Sequence, residues 1–213
     1  SGPGGHDPPG RKPPPMSAHP APVETSMSDM NPDFLAPLAA IGRAMQDAFD
    51  PHRFLAEFST RLQRMLPHDR SLILYLEEGG RLSVFAEYAA PSQPQYEGSY
   101  TLDFDPGGRY APAELFLGPV LTGETALVGD FETDPRFAGQ GADPGGALRL
   151  GVRSRITAPL TSRGKVIGAL VIGSYTPGAY SAAHAAGARE IADLIAPLIE
   201  NVVLLHREQR RRR

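Results

Sequence analysis

LGVRSRITAPLTSRGKVIGALVIGS, residues 150–174, is the stretch on which the fold turns. It divides into two apolar strands, Arg153–Ser162 and Lys165–Ser174, around Arg163-Gly164. Glycine at the second turn position tolerates the positive φ that tight hairpins need. The second strand carries Val166, Ile167, Leu170, Val171 and Ile172 almost without interruption, the pattern of a strand covered on both faces. Gly168 and Gly173 break that run, where a bulge or the close approach of another element is expected. A long apolar helix follows at once and is expected to cover one face of the hairpin.

Ser181 stands where it can cap that helix. Along it Ile191, Ile195, Leu198, Val202 and Leu205 recur at 4-3-4-3 spacing, which reads as a coiled-coil seam. Leu194, Ile199 and Val203 widen the stripe, so that one flank can meet the sheet and the other a partner helix. Pro197 removes a helical hydrogen bond and predicts a kink. Five of the last seven residues are arginine. Cations at a helix C-terminus complement its dipole, and this solvated role is preferred over nucleic-acid binding.

Working upstream, Ser71–Glu77 and Arg81–Tyr88 bracket Glu78-Gly79-Gly80 as a second hairpin. Strand alternation puts Leu82, Val84 and Ala86 on one face and Ser83, Phe85 and Glu87 on the other. Tyr100–Asp105 and Thr125–Asp130 read as short strands, and Pro112–Thr122 as a short helix weakened by Gly118-Pro119 in its middle. Residues 131–148 form a long irregular connection, the kind that is functional or mobile in a compact domain. Two amphipathic stripes precede the first strand. Phe34, Leu38, Ile41 and Met45 follow Asn31-Pro32, and Phe54, Leu55, Phe58, Leu62 and Met65 follow Asp50-Pro51. Residues 1–30 hold eight prolines and few large apolar side chains and read as a disordered tail, with Ser1–Pro15 compatible with vector-encoded sequence. The expected organisation is a tail over 1–30, one domain over 31–206 and the basic end of the helix over 207–213.

Composition sets the outer bounds. A chain of 213 residues, 41% hydrophobic and 21% charged, is long enough for one domain with a sizeable core. A net charge of −3 gives no general argument for nucleic acid or an anionic membrane. No apolar run approaches the ~18 residues of a membrane span, and no signal-peptide pattern opens the chain, so a cytoplasmic location is expected. Cysteine is absent, which removes disulfides, thiolate catalysis, Cys-based zinc sites and thioether-linked chromophores together.

The order of elements and several local motifs resemble the GAF domain family over Phe34 to His206. The motifs are Gly129-Asp-Phe-Glu-Thr-Asp-Pro-Arg-Phe137, Leu150-Gly-Val-Arg-Ser154, Ala158-Pro-Leu160 and Gly164-Lys-Val-Ile-Gly168. The Tyr175–Tyr180 loop before a helix ending in Glu200-Asn201 adds to them. The resemblance implies an α+β fold with a central antiparallel sheet of five to six strands. Terminal helices pack on one face, and a small-molecule pocket is roofed by loops on the other. It further implies a parallel homodimer through the terminal helices, with an effector downstream of the residues present. Bilin-binding members attach their pigment to cysteine and free-methionine-sulfoxide reductases use catalytic cysteines; neither activity fits a chain without that residue. The Asn-Lys…Phe…Asp-Glu signature of cyclic-nucleotide binders is not met, although Phe131 and Asp134 are present.

No catalytic triad, HExxH motif or phosphate-binding glycine loop is evident, so no catalytic residue and no metal ligand is nominated. Haem ligation, known in some GAF-like sensors, would fall to His68 or His184, set against surface or cap roles. Asp130 and Asp134, in an acidic loop with Glu132 and Arg136, either face a ligand or bond loop amides. Arg153 and Arg155 share one strand face, opposite Ser154 and Ile156, and either hold a carboxylate or phosphate or pair with loop aspartates. Tyr88, Phe104, Phe116 and Phe137 are candidate pocket walls, since ligand sites are mostly apolar. The leading expectation is a non-catalytic small-molecule-sensing domain of a signalling protein, with no cofactor identified. The alternative is a ligand-free structural dimerisation module.

Overall fold

The computed structural model describes residues 58–60, 62–89, 109–111, 117–137, 147–148 and 150–211. The expected tail, the stripe Phe34–Met45, the strand Tyr100–Asp105 and residues 138–146 lie outside them, as do the candidates Phe104 and Phe116. Among the described residues the strands are β1 (Arg70–Leu76), β2 (Leu82–Ala89), β3 (Arg109–Tyr110), β4 (Ala126–Val128), β5 (Ser154–Ser162) and β6 (Lys165–Ser174). Residues 58–60 and 62 are helical ahead of β1, and the helices further along are α1 (Gly118–Leu121) and α2 (Ala182–Arg211). The strands form one sheet in the order β3-β2-β1-β6-β5-β4, with every neighbouring pair antiparallel.

The decisive hairpin lies at the centre. Arg163 and Gly164 both take positive φ, +50° and +76°, the geometry that matches a two-residue turn to strand twist. β6 then pairs with β5 on one side and β1 on the other. Its nearly continuous apolar sequence follows from that position: Leu170 and Ile172 enter the core beneath α2, while Ala169 lies in the core of the opposite face. Gly168 is required by proximity, because a Cβ there would stand 2.0 Å from the Leu74 carbonyl oxygen. The β5–β6 register shifts at Leu160/Thr161, beside that glycine.

α2 runs unbroken for 30 residues through Pro197. Ser181 caps it: the His184 N–H donates to Ser181 Oγ at 3.4 Å, and His184 Nδ1 accepts the Ser181 N–H at 3.0 Å, a reciprocal box. The expected coiled-coil seam is corrected. Ile191, Ile195 and Val202 are buried in this one chain, with Ile191 and Ile195 in the core against β5 and β6, and Leu198 packs on the same cluster. A helix on a sheet needs an apolar stripe as wide as this one, and spacing alone does not separate that stripe from a seam. Among the α2 residues whose side chains are described, which exclude Leu205, the large apolar ones left exposed are Leu194 and Leu204.

Two further expectations change. Gly118-Pro119 opens α1, with Pro in the first turn where its missing N–H is harmless. In β2, the register against β1 shifts between Ile73 and Leu74. Leu82 and Val84 therefore face the second core, whereas Ala86 turns beneath α2. The expected common face for all three is broken by this bulge.

Candidate functional site

The sheet has two unequal faces. Beneath α2 the core is apolar and closed by the helix. The second face carries Leu72, Leu74, Leu82, Ala169 and Val152, covered by α1, Phe131 and Phe137, and it also holds charge. One row crosses it: Ala89, Arg70, Gly173, Arg155 and Val128 stand in register on neighbouring strands. Residues directly opposite in a sheet share a face, so Arg70 and Arg155 both project to the second side, with a glycine between them. Both are buried. Arg70 is ion-paired with Glu87.

Arg155 meets the segment that follows β4. Its guanidinium carbon sits 4.9 Å from the centre of the Phe131 ring. Phe131 is fixed by its own N–H, which donates to the Arg153 carbonyl at 2.8 Å. Its ring packs on Phe137 with centroids 5.2 Å apart. Arg136 covers the outer side of Phe137 at 5.4 Å from its centroid. Two guanidinium groups thus flank two phenyl rings, one buried and one at the surface.

The loop 129–137 is held by its charges. Arg153 grips Asp130 with two bonds, Nε to Oδ1 and Nη2 to Oδ2, each 2.9 Å, and reaches Glu132 at 2.8 Å. Asp130 Oδ1 also accepts the Glu132 N–H at 3.2 Å, as Asp134 Oδ1 accepts the Arg136 N–H at 2.9 Å. Arg136 Nε bonds Asp134 Oδ1 at 2.9 Å, and its Nη2 donates to the Leu127 carbonyl at 3.1 Å. The hydrogen bond from Arg153 holds the Asp130 carboxyl below its ordinary pKa, and Arg136 does the same for Asp134. Arg155 differs: burial first, then the like charge of Arg136, push its pKa down to about 10.

The sequence-nominated residues therefore divide. Asp130, Asp134, Phe137, Arg153 and Arg155 come together on the second face or in the loop covering it. Arg153 precedes β5 and spends its fork on the loop acids. Tyr88 does not join them. It packs on the α2-side core and meets the His68 ring edge-on at 6.2 Å, because the β2 bulge turns the end of that strand. Phe131 and Arg70 were not nominated. The signal for Phe131 was its place directly after Asp130 at the end of a strand; the signal for Arg70 was a cation opening an otherwise apolar strand.

The histidines have other surroundings. His184 belongs to the α2 cap. His68 is buried, and its Nδ1 lies 2.7 Å from the Leu66 carbonyl, which can only accept, so the proton is on Nδ1. The described residues contain no group of three or more acidic or histidine side chains able to hold a metal ion. No helix among them is long and apolar enough to cross a membrane.

An antiparallel sheet with its closing helix on one face and a loop-covered, charge-bearing second face defines an α+β domain with two unlike faces. The chain belongs to the GAF domain family, whose profile matches residues 50–199. It is similar in fold to the phycocyanobilin-bound GAF domain of a cyanobacterial phytochrome, at 16% identity over 81% of this chain and 97% of that one, TM-score 0.57. The GAF domain of an Acinetobacter phosphoenolpyruvate-protein phosphotransferase is similar at 19% identity, over 82% and 97% of the two chains, TM-score 0.55. A type II free methionine-R-sulfoxide reductase from Thermoplasma acidophilum is similar at 20% identity, over 76% and 96%, TM-score 0.52. No curated protein sequence matches the chain.

Proposed function

We propose that this GAF domain is a non-catalytic, small-molecule-sensing regulatory domain of a cytoplasmic signal-transduction protein. It binds its ligand on the second face and passes the signal through α2, as a homodimer, to an effector of the histidine-kinase, cyclic-nucleotide-enzyme or transcription-activator kind. The observation that carries this is the burial of a guanidinium, Arg155, against Phe131 on the face that α2 does not cover. A purely structural face would favour apolar packing there, since a buried cation is costly to desolvate.

A path from the site to the helix supports the signalling role. The Gly178 N–H, on the segment leading into α2, donates to the Gly129 carbonyl at 2.7 Å, at the start of the aromatic loop. Arg189 on α2 donates to the Gly123 carbonyl at 2.6 Å, just before β4. A ligand that favours one arrangement of the loop would bias the helix through these contacts by its difference in affinity for the two arrangements. The absence of cysteine speaks against reductase chemistry of the thiol type.

Native mass spectrometry of freshly purified protein, compared with its denatured mass, tests the proposal. The expected result is a dimer that retains a small molecule on each protomer. A monomer of bare chain mass that no compound of a metabolite library stabilises would contradict it.

A further inference from the structure

We propose that the last turns of α2, from Leu204 onward, close as a releasable clasp on the turn between β1 and β2. Docked, they fix the direction in which the helix leaves the domain; released, they free it. The clasp does not depend on what the second face binds.

Length and burial set the clasp apart from the rest of the helix. At 30 residues α2 is about 45 Å long, whereas β6, with 10 residues, spans about 33 Å. The helix therefore outruns the sheet. Ile199 and Val202 are buried and Val203 packs on the core, but Leu204 is exposed, so among the described side chains the apolar anchoring ends at Val203. Tyr75 stands opposite Gly168 at the end of the β1–β6 ladder, which brings the turn after β1 and the turn before β6 to the same end of the sheet. One turn presents Glu78 and the other Arg163. α2 answers both with opposite charge, Glu200 and Arg207, two helical turns apart and so on one face. Glu200 pins the root: its Oε2 accepts the Ser162 hydroxyl at 2.7 Å and lies 3.8 Å from Arg163 Nε. Arg207 closes the tip. Its Nη1 donates to Glu78 Oε1 at 3.3 Å, and its guanidinium carbon lies 5.3 Å from the centre of the Tyr75 ring. With Glu200 held beside Arg163, rotating the last turns about the helix axis takes Arg207 off Glu78, so the charges select one docked pose. The hold at the tip is weak, because the Glu78 side chain is 84% exposed and water and salt screen such a pair. These turns therefore open more readily than the buried segment before them, which is the condition for a segment that changes between two arrangements.

The chain holds no cysteine, so spin labels can be attached at Lys165→Cys and Glu208→Cys in the full chain, diluted with unlabelled protein to isolate distances within one molecule. At low salt one short distance is expected to dominate. About 1 M salt, which cuts the screening length to about 3 Å, is expected to raise a second, longer distance. Glu78→Gln, which leaves the helix sequence untouched, is expected to do the same. Amide hydrogen exchange over 204–211 is expected to quicken about two- to fivefold in Glu78→Gln and in Arg207→Gln, the size of an exposed pair, with 182–203 unchanged. The double variant is expected to exchange no faster than either single one, because both remove the same contact. A single distance that neither salt nor Glu78→Gln alters would overturn the clasp. Exchange that quickens equally over 182–203 would overturn it too, since the helix would then loosen as a whole.

Discussion

The Arg155 guanidinium lies over the face of the Phe131 ring, 4.9 Å from its centre, and so joins the middle of the sheet to the loop after β4. Phe131 is among the largest fully buried side chains of the described residues, at 1% exposure, so it supports the loop as well as the cation. Phe131→Ala is expected to cost about 3–5 kcal/mol through the cavity and lost transfer energy. Phe131→Leu keeps much of the volume but loses the ring face, and is expected to cost about 1–3 kcal/mol. Urea unfolding of both variants checks this; an Ala variant as stable as the Leu variant would show that the ring is not packed as described.

Gly168 is a close-approach glycine rather than a turn glycine. A methyl group at that position collides with the Leu74 carbonyl of the neighbouring strand. Gly168→Ala is therefore expected to cost about 1–3 kcal/mol by forcing β1 and β6 apart. Gly178→Ala gives a contrast, since that residue has open space and is strained only by its φ of +67°. Denaturant midpoints that rank Gly168→Ala as the milder change would contradict the β1–β6 register.

His68 gives the stability of the domain an acid limb. Burial is the main cause that lowers its pKa, outweighing the Leu66 carbonyl and the nearby Asp69, which raise it. In the unfolded chain the imidazole titrates near 6.5, so below about that pH the unfolded state takes up a proton that the folded state resists. Stability is full above that value and falls as pH drops toward the folded pKa. The Asp130 and Asp134 carboxylates, held low by Arg153 and Arg136, lose their contribution only below about pH 4. His68→Asn keeps a donor for the Leu66 carbonyl and is expected to flatten melting temperature between about pH 7.5 and pH 5. An unchanged slope in that variant would remove His68 as the cause.

Dimerisation, if it uses α2, must use the face turned away from the sheet. Leu194, Pro197, Asn201 and Leu204 lie exposed there. Replacing Leu194 and Leu204 together with Asp is expected to yield a folded monomer in sedimentation, with melting temperature nearly unchanged. Val202→Asp is expected to unfold the chain instead, because a carboxylate would enter a site only 1% exposed. A dimer that survives the double change would put the interface elsewhere.

Much of the fold was legible because it is written in local chemistry. The Arg163-Gly164 turn, the unbroken apolar run of β6 and the Ser181 cap each encode their own structure within a few residues. The α2 stripe was legible as a stripe but not as to what covers it, since a sheet and a partner helix ask for overlapping spacings. Tyr88 was misplaced because a bulge between Ile73 and Leu74 depends on strand pairing, which no short window of sequence contains. The candidate site was half legible. Alternation identified Arg153 and Arg155 and offered pairing with loop aspartates as one reading, but which arginine takes that role, Arg153 on Asp130, and that Phe131 lies under Arg155 depend on long-range contacts.

Amide chemical shifts during titration with the small molecule that the purified protein retains in native mass spectrometry test the central claim, that the face away from α2 is the ligand face. The account predicts that the largest shifts fall on 129–137, Arg155 and Val171, with a smaller response at Gly178 and the first turns of α2. Shifts centred on the α2-side core around Leu198 and Val203, or scattered without focus, would contradict it.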